Sequence, residues 1–130
     1  MNDRRRTQSA RLATVSLEKL NFGCGLFPLP GWTNIDNGDG VNYAAPELDE
    51  VIHLDIFEAL EDLPPGRAGF ITSEHFFEHF TLEDGHRILK GWFATLRPGG
   101  VLRIVTPDLE RESLLYLRQL HVADDATVDN

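Results

Sequence analysis

Three groups of residues in this chain are of types, and at spacings, that do chemistry. The first is a pair of carboxylates: Trp32 to Ile35 is a short apolar run that ends at Asp36, and Val51-Ile52-His53-Leu54 is another that ends at Asp55. Carboxylates closing neighbouring parallel strands point into one crevice, where one suits a ribose diol and the next the amino edge of a base. Asp55 also precedes the helical run Ile56 to Leu60, for which Asp is a favoured N-cap, and the two roles are compatible.

The second group is Gly23-Cys24-Gly25, directly after the apolar strand Leu20-Asn21-Phe22. Without a Cβ, glycine admits left-handed dihedrals and lets a ligand approach the main-chain N–H groups. An ordinary turn is the alternative. Cys24 has no obvious base beside it and reads as a small packing residue.

The third group is Ser73-Glu74-His75-Phe76-Phe77-Glu78-His79. An imidazole titrates near neutrality, so His75 is the first candidate for a general base, with His79 and Glu74 after it; structural hydrogen bonding at a strand–helix junction is the competing reading. His75-x-x-Glu78-His79 also has the spacing of an inverted zinc-peptidase motif, two histidines four apart on one helix face. Zinc would need a third protein ligand from elsewhere, and a helix emerging from a strand in an alternating β/α chain is the wrong context, so the motif is assigned no metal.

Composition limits the partners. The chain has 130 residues, a formal net charge of -9 and 42% hydrophobic residues, which is one domain with an ordinary core. Nucleic-acid affinity rests on Lys and Arg displacing counterions, and only Arg4-Arg5-Arg6 offers a basic cluster, so no nucleic-acid partner is expected. No apolar run reaches the roughly 20 residues of a membrane span, and none is expected to meet a membrane. Leu12 to Leu17 is broken by Thr14 and Ser16 and does not read as a signal sequence. One cysteine permits no internal disulfide and suits a reducing cytoplasm.

The elements that position these groups alternate along the chain. Residues 1–17 lack clean periodicity and read as a flexible tail or loose helix. A strand from Lys19 to Phe22 follows. The stretch Leu26-Phe27-Pro28-Leu29-Pro30-Gly31 forbids a long helix before the second strand, so the first crossover is short. Pro28 occupies the place of a third glycine, and Asp36 comes too early for a dinucleotide fingerprint, which disfavours a pyrophosphate ligand. Residues 37–48 read as turn and irregular chain. A fourth strand runs from Gly69 to Ser73. Thr81 N-caps a helix whose Ile88, Leu89, Trp92, Phe93 and Leu96 recur on one face and cover the sheet. The helix stops at Pro98-Gly99-Gly100, Val101 to Thr106 makes a fifth strand, and Leu109 to about Leu120 a last amphipathic helix. The acidic tail, 122–130, reads as disordered. The fold class is therefore α/β: a Rossmann-like, mostly parallel sheet of about five strands with helices on both faces, in one domain over 18–121.

In order, Leu20-Asn21-Phe22-Gly23-Cys24-Gly25, Pro30-Gly31-Trp32, Asn34-Ile35-Asp36, Leu54-Asp55, Ser73 to His79, Leu96-Arg97-Pro98-Gly99-Gly100 and Thr106-Pro107-Asp108 resemble a class I S-adenosylmethionine-dependent methyltransferase. Within that class the chain is similar to the type 11 group, in particular the small bacterial members with a shortened first crossover. The resemblance runs from about Lys19 to Glu110. It implies that Gly23, Cys24 and Gly25 pass beneath the methionine part of S-adenosylmethionine, and that Asp36 holds the ribose hydroxyls. Asp55 and the backbone of Ile56 meet the adenine, and Ser73 and His75 line the methyl end. It implies methyl transfer to a small-molecule or saccharide acceptor. Two positions depart from the pattern: Asn21 is neutral where many relatives carry an acid, and five strands stand where the family has seven. The chain thus reads as a fragment or a minimal variant, its fifth strand covered by the last helix or by another subunit. A non-catalytic binding module and, more distantly, a zinc hydrolase or a nicotinamide oxidoreductase are the alternatives.

Overall fold

The computed structural model describes residues 3–38 and 51–126, with side chains through residue 120. Five parallel strands form one sheet in the order β3-β2-β1-β4-β5: β1 (Lys19–Phe22), β2 (Thr33–Asp36), β3 (Ile52–His53), β4 (Ala68–Glu74) and β5 (Leu96–Val105). The chain runs outward from β1 to β3, then returns across β1 to add β4 and β5. The reversal leaves a crevice at the C-terminal ends of β1 and β4, the place where open α/β sheets bind ligands.

Strand alternation sorts the two faces. Leu20, Phe22 and Ile71 face the helices α2 (Ile56–Asp62) and α3 (Leu82–Thr95), and with Ala59, Leu63, Ile88 and Trp92 they form the fully buried core. The Trp92 ring lies 5.5 Å from Phe22 and 5.9 Å from Phe77, centroid to centroid. Gly91 lets α2 approach α3, since a Cβ there would stand 2.6 Å from Leu60. Of the stripe read along α3, Ile88 and Trp92 are buried, whereas Phe93, about 100° further round, is 81% exposed. Leu96 already belongs to β5, whose early start carries Pro98-Gly99-Gly100 into the strand across an irregularity opposite Ala68 and Phe70.

Short-range chemistry starts the helices as anticipated. Asp55 accepts from the Phe57 N–H at 2.8 Å while Glu58 accepts from the Asp55 N–H at 3.3 Å, a complete capping box for α2. The Thr81 hydroxyl accepts from the Asp84 N–H at 3.2 Å and caps α3.

The opposite face of the sheet is covered at its middle by the crossover from Gly23 to Trp32, which contains no helix. The Asn34 side chain holds it: its oxygen accepts from the Asn21 amide and the Leu29 N–H, both at 2.8 Å, and its nitrogen donates to the Leu29 and Trp32 carbonyls, both at 3.1 Å. Trp32 packs edge-on against Phe70 of β4, with centroids 5.4 Å apart.

The termini depart from expectation. Residues 3–12 form α1 (Asp3–Leu12), docked rather than trailing: Leu12 is buried, Arg5 pairs with Glu58 and Glu61, the Ser9 hydroxyl donates to Asp62 at 2.6 Å, and Gln8 accepts from the His53 N–H at 3.0 Å. A charged helix with one apolar anchor carries little periodic signal, which is why its docking was not legible. At the other end α4 (Leu109–Ala126) takes in residues 122–126 of the anticipated acidic tail; residues 127–130 lie outside the described residues, as do 39–50. Every residue of α4 from Leu109 to Leu120 is exposed, so this helix does not cover β5, and Val101 stays half exposed.

Trp92→Ala removes the ring that joins α3 to β1 and is expected to cost about 3–5 kcal/mol of stability in a urea titration followed by circular dichroism. Phe93→Ala, one residue on, should stay within about 0.5 kcal/mol of the parent.

Candidate functional site

The glycine turn is built by its own backbone. Gly23 has φ of 70° and donates its N–H to the Ile35 carbonyl at 2.9 Å, which fastens the end of β1 to β2. A Cβ at Gly23 would stand 2.3 Å from the Phe76 ring, so the close approach that glycine permits is made here by an aromatic side chain. Gly25 has φ of 51° and open space where its Cβ would be. Its N–H donates to Asp36 Oδ2 at 3.0 Å, and Asp36 Oδ1 accepts from the Gly38 N–H at 2.9 Å. The carboxylate that closes β2 therefore orients the glycine turn directly.

Cys24, between the glycines, is buried, and burial first and the Asp36 charge second push its thiol up to about 12. It stays protonated and unreactive at physiological pH, consistent with a packing residue rather than a nucleophile.

Two cavities lie near this turn, one of them lined by it. The larger, about 440 Å³, is lined by Gly23, Cys24 and Gly25 on one side, by Thr72, Glu74 and His75 on the other, and by Leu26, Phe27 and Leu29 of the crossover. The smaller, about 60 Å³, is lined by Asp36, Asp55, Ile56, Phe76 and Phe80 among others. Asp36 and Asp55 thus share one pocket, and Phe76, which lines it, touches Gly23, which lines the other.

Ser73 lines neither cavity. It is wholly buried on the core face of β4, because a strand turns alternate side chains to opposite faces, and its hydroxyl has no hydrogen-bond partner among the described residues. Its neighbours Thr72 and Glu74 face the larger cavity instead. Glu74 is held by an ion pair with Arg103 of β5.

His75 sits at the cavity rim with φ of 50°, the left-handed region that side chains other than glycine seldom adopt. Its N–H donates to the Val105 carbonyl at 2.9 Å, and its Nδ1 lies 3.7 Å from Glu78 Oε1. This conformation overturns the helix read through His75 and His79: only a short 3₁₀ turn, Phe77–His79, follows, so the two imidazoles do not share a helix face. His79 is exposed and lines neither cavity, and among the described residues no group of three His, Cys, Asp or Glu is placed to hold a metal ion.

Sequence reasoning missed Thr72, Phe76 and Phe80 as pocket residues. Thr72 was reachable from the strand period once Ser73 was placed in the core; the aromatics were not, because the turn that aims them depends on His75.

No family model matches the chain, and no curated protein matches it. Among solved structures it is similar to a SAM dependent methyltransferase from Archaeoglobus fulgidus, with a TM-score of 0.60 and 19% sequence identity over 81% of this chain. The match takes in 54% of that protein, so this chain spans about half its length. The likeness is one of fold: both share the Rossmann-like α/β architecture with a parallel sheet.

The two glycines should respond differently to substitution. Gly23→Ala combines left-handed strain with the Phe76 clash and is expected to lose about 2–5 kcal/mol in urea denaturation, against about 1–2 kcal/mol for Gly25→Ala, where only strain acts. Iodoacetamide should leave Cys24 unmodified at pH 8 in the folded chain and label it after denaturation. An ordinary thiol releases its proton near 9 and the folded one near 12, so this group's contribution to stability is intact at neutral pH and is lost as pH rises from about 9 to 12.

Proposed function

We propose that this chain is a class I S-adenosylmethionine-dependent methyltransferase of the type 11-like group, acting in a reducing cytoplasm on a small-molecule or saccharide acceptor. The observation that carries the reading is the shared pocket of Asp36 and Asp55 beside the Gly23 turn. Among the described residues two carboxylates and no Lys or Arg line it, which suits a nucleoside without phosphates and opposes a dinucleotide.

Asp36 is the residue for the ribose diol. Its two oxygens accept from the Gly25 and Gly38 N–H groups, which hold the carboxylate at the end of β2 on the wall of the pocket. Asp55, held in the same manner by the Phe57 N–H, and the Ile56 backbone are the partners for the base edge. Gly23, Cys24 and Gly25 form the wall along which the rest of the cofactor passes. When bound, S-adenosylmethionine supplies a methyl group already activated on sulfonium. The protein's task is then to position the acceptor, exclude water and, for an acceptor that arrives protonated, remove one proton.

His75 is the base of choice because, of the three proposed groups, it is the imidazole that lines the larger cavity. Glu74 shares that cavity but is committed to Arg103. His79 and Ser73, which line neither cavity, are assigned no contact with cofactor or acceptor.

Calorimetric titration tests the reading. S-adenosylmethionine and S-adenosylhomocysteine should both bind, NAD should not compete, and Asp36→Asn should weaken binding about 10- to 100-fold, the worth of a charge-assisted hydrogen bond. His75→Ala should leave S-adenosylhomocysteine affinity within about threefold while lowering its release from S-adenosylmethionine at least 100-fold, measured across a panel of small amines, alcohols and sugars. Absence of heat at millimolar ligand overturns the proposal.

A further inference from the structure

The pocket between Asp36 and Asp55 is too small for the ligand that its chemistry fits. Its volume is about 60 Å³, room for about two water molecules, whereas pockets that hold ligands of nucleoside size and above run from roughly 300 Å³ upward. What fills the space is aromatic. The Phe76 ring lies against the bare Cα of Gly23, close enough that a Cβ there would stand 2.3 Å from two of its ring carbons, and it packs edge-on against Phe80 with centroids 4.9 Å apart. Phe80 in turn meets Phe57 of α2 at 6.3 Å. Phe76 lines the smaller cavity and touches the glycine that lines the larger.

The residue before it is under strain. His75 is the one residue other than glycine with a left-handed φ among the described residues, at 50°. A side chain in that region is disfavoured by a factor of about 5 to 30, and such strain persists where the surroundings enforce it. Here they do: the His75 N–H is tied to the Val105 carbonyl of β5, and the Phe76 ring is seated on Gly23. The seat that glycine offers is thus taken by a side chain on a sprung joint.

We infer that Phe76 is a plug in the nucleoside site and His75 its hinge: the ring and the cofactor compete for the same face of Gly23, and binding requires the ring to leave. Departure joins the two cavities into one of ligand size and releases the left-handed strain at His75, which offsets part of the loss of aromatic packing. The site is then specific for ligands that bring enough contact to displace a partly buried ring, and its apparent affinity is lowered by the fraction of chains in which the plug is seated. This inference rests on the proposed cofactor, and its test separates the two.

The probe is S-adenosylhomocysteine, with binding followed by calorimetry and by stopped-flow fluorescence of Trp32 and Trp92. For the parent chain the observed rate should level off as ligand rises, because plug release precedes binding. Phe76→Ala should bind about tenfold more tightly, with an observed rate linear in ligand. His75→Gly should bind several-fold more weakly, because glycine removes the strain that favours release and leaves the plug better seated. A linear rate for the parent, Phe76→Ala affinity equal to or weaker than the parent's, or an unchanged His75→Gly each overturns the plug-and-hinge while leaving the cofactor assignment standing. No binding to any of the three chains overturns both. The parent kinetics stand by themselves should Phe76→Ala fail to fold.

Discussion

The buried amide of Asn34 is the interaction on which the rest of this architecture depends. Asn34 uses all four of its hydrogen-bonding positions, accepting from Asn21 and Leu29 and donating to Leu29 and Trp32. A connection between parallel strands normally spends a dozen or more residues, usually on a helix, whose internal bonds satisfy the backbone. The ten residues from Gly23 to Trp32 have no helix to do this, and one side chain on β2 performs that service for the middle of the loop. Removing it would leave buried polar groups unmatched at several points at once, which is costly in an interior of low dielectric.

That constraint propagates into the site. With Asn34 anchoring one end of the crossover, Asp36, two residues along the same strand, reaches the Gly25 N–H at the other. The glycine turn is consequently held from β2 by the Gly23–Ile35 backbone bond and by the Asp36 carboxylate. A missing helix also means a missing helix N-terminus, and so no preformed anion site over the turn. What stands beside the turn is the Asp36 carboxylate, in one pocket with Asp55 and the apolar side chains of Phe22, Ile35, Leu54 and Phe76.

The short crossover changes the other wall as well. On the face without α2 and α3, the covering material is Trp32, Leu29 and their neighbours, and the larger cavity opens beside them between the glycine turn and the end of β4. Phe76 belongs to the opposite side of this arrangement, connected through Phe80 to Phe57 of α2, so aromatic packing of the core runs continuously up to the glycine turn. Core and site are not separate regions here. Strain at His75 sits where they join, between the β5 backbone and the ring on Gly23.

Much of the fold was legible from local chemistry. Apolar runs of strand length, Asp55 and Thr81 as caps, and prolines at 28 and 30 determine the order of strands and the absence of a helix from the β1–β2 crossover, because each acts through its own backbone or its neighbours within a turn. The pairing of Asp36 with Asp55 was likewise readable, since the end of a parallel strand has one direction to face. Tertiary structure alone decided the rest. It docked α1 through a single buried leucine and a few polar contacts, and turned Phe93 outward beside a buried Trp92. It placed Ser73 in the core with Thr72 and Glu74 in the cavity, and bent His75 left-handed so that no helix carries His75 with His79. Those outcomes depend on which element arrives opposite a given residue, and the spacing of residues along a chain holds no record of that.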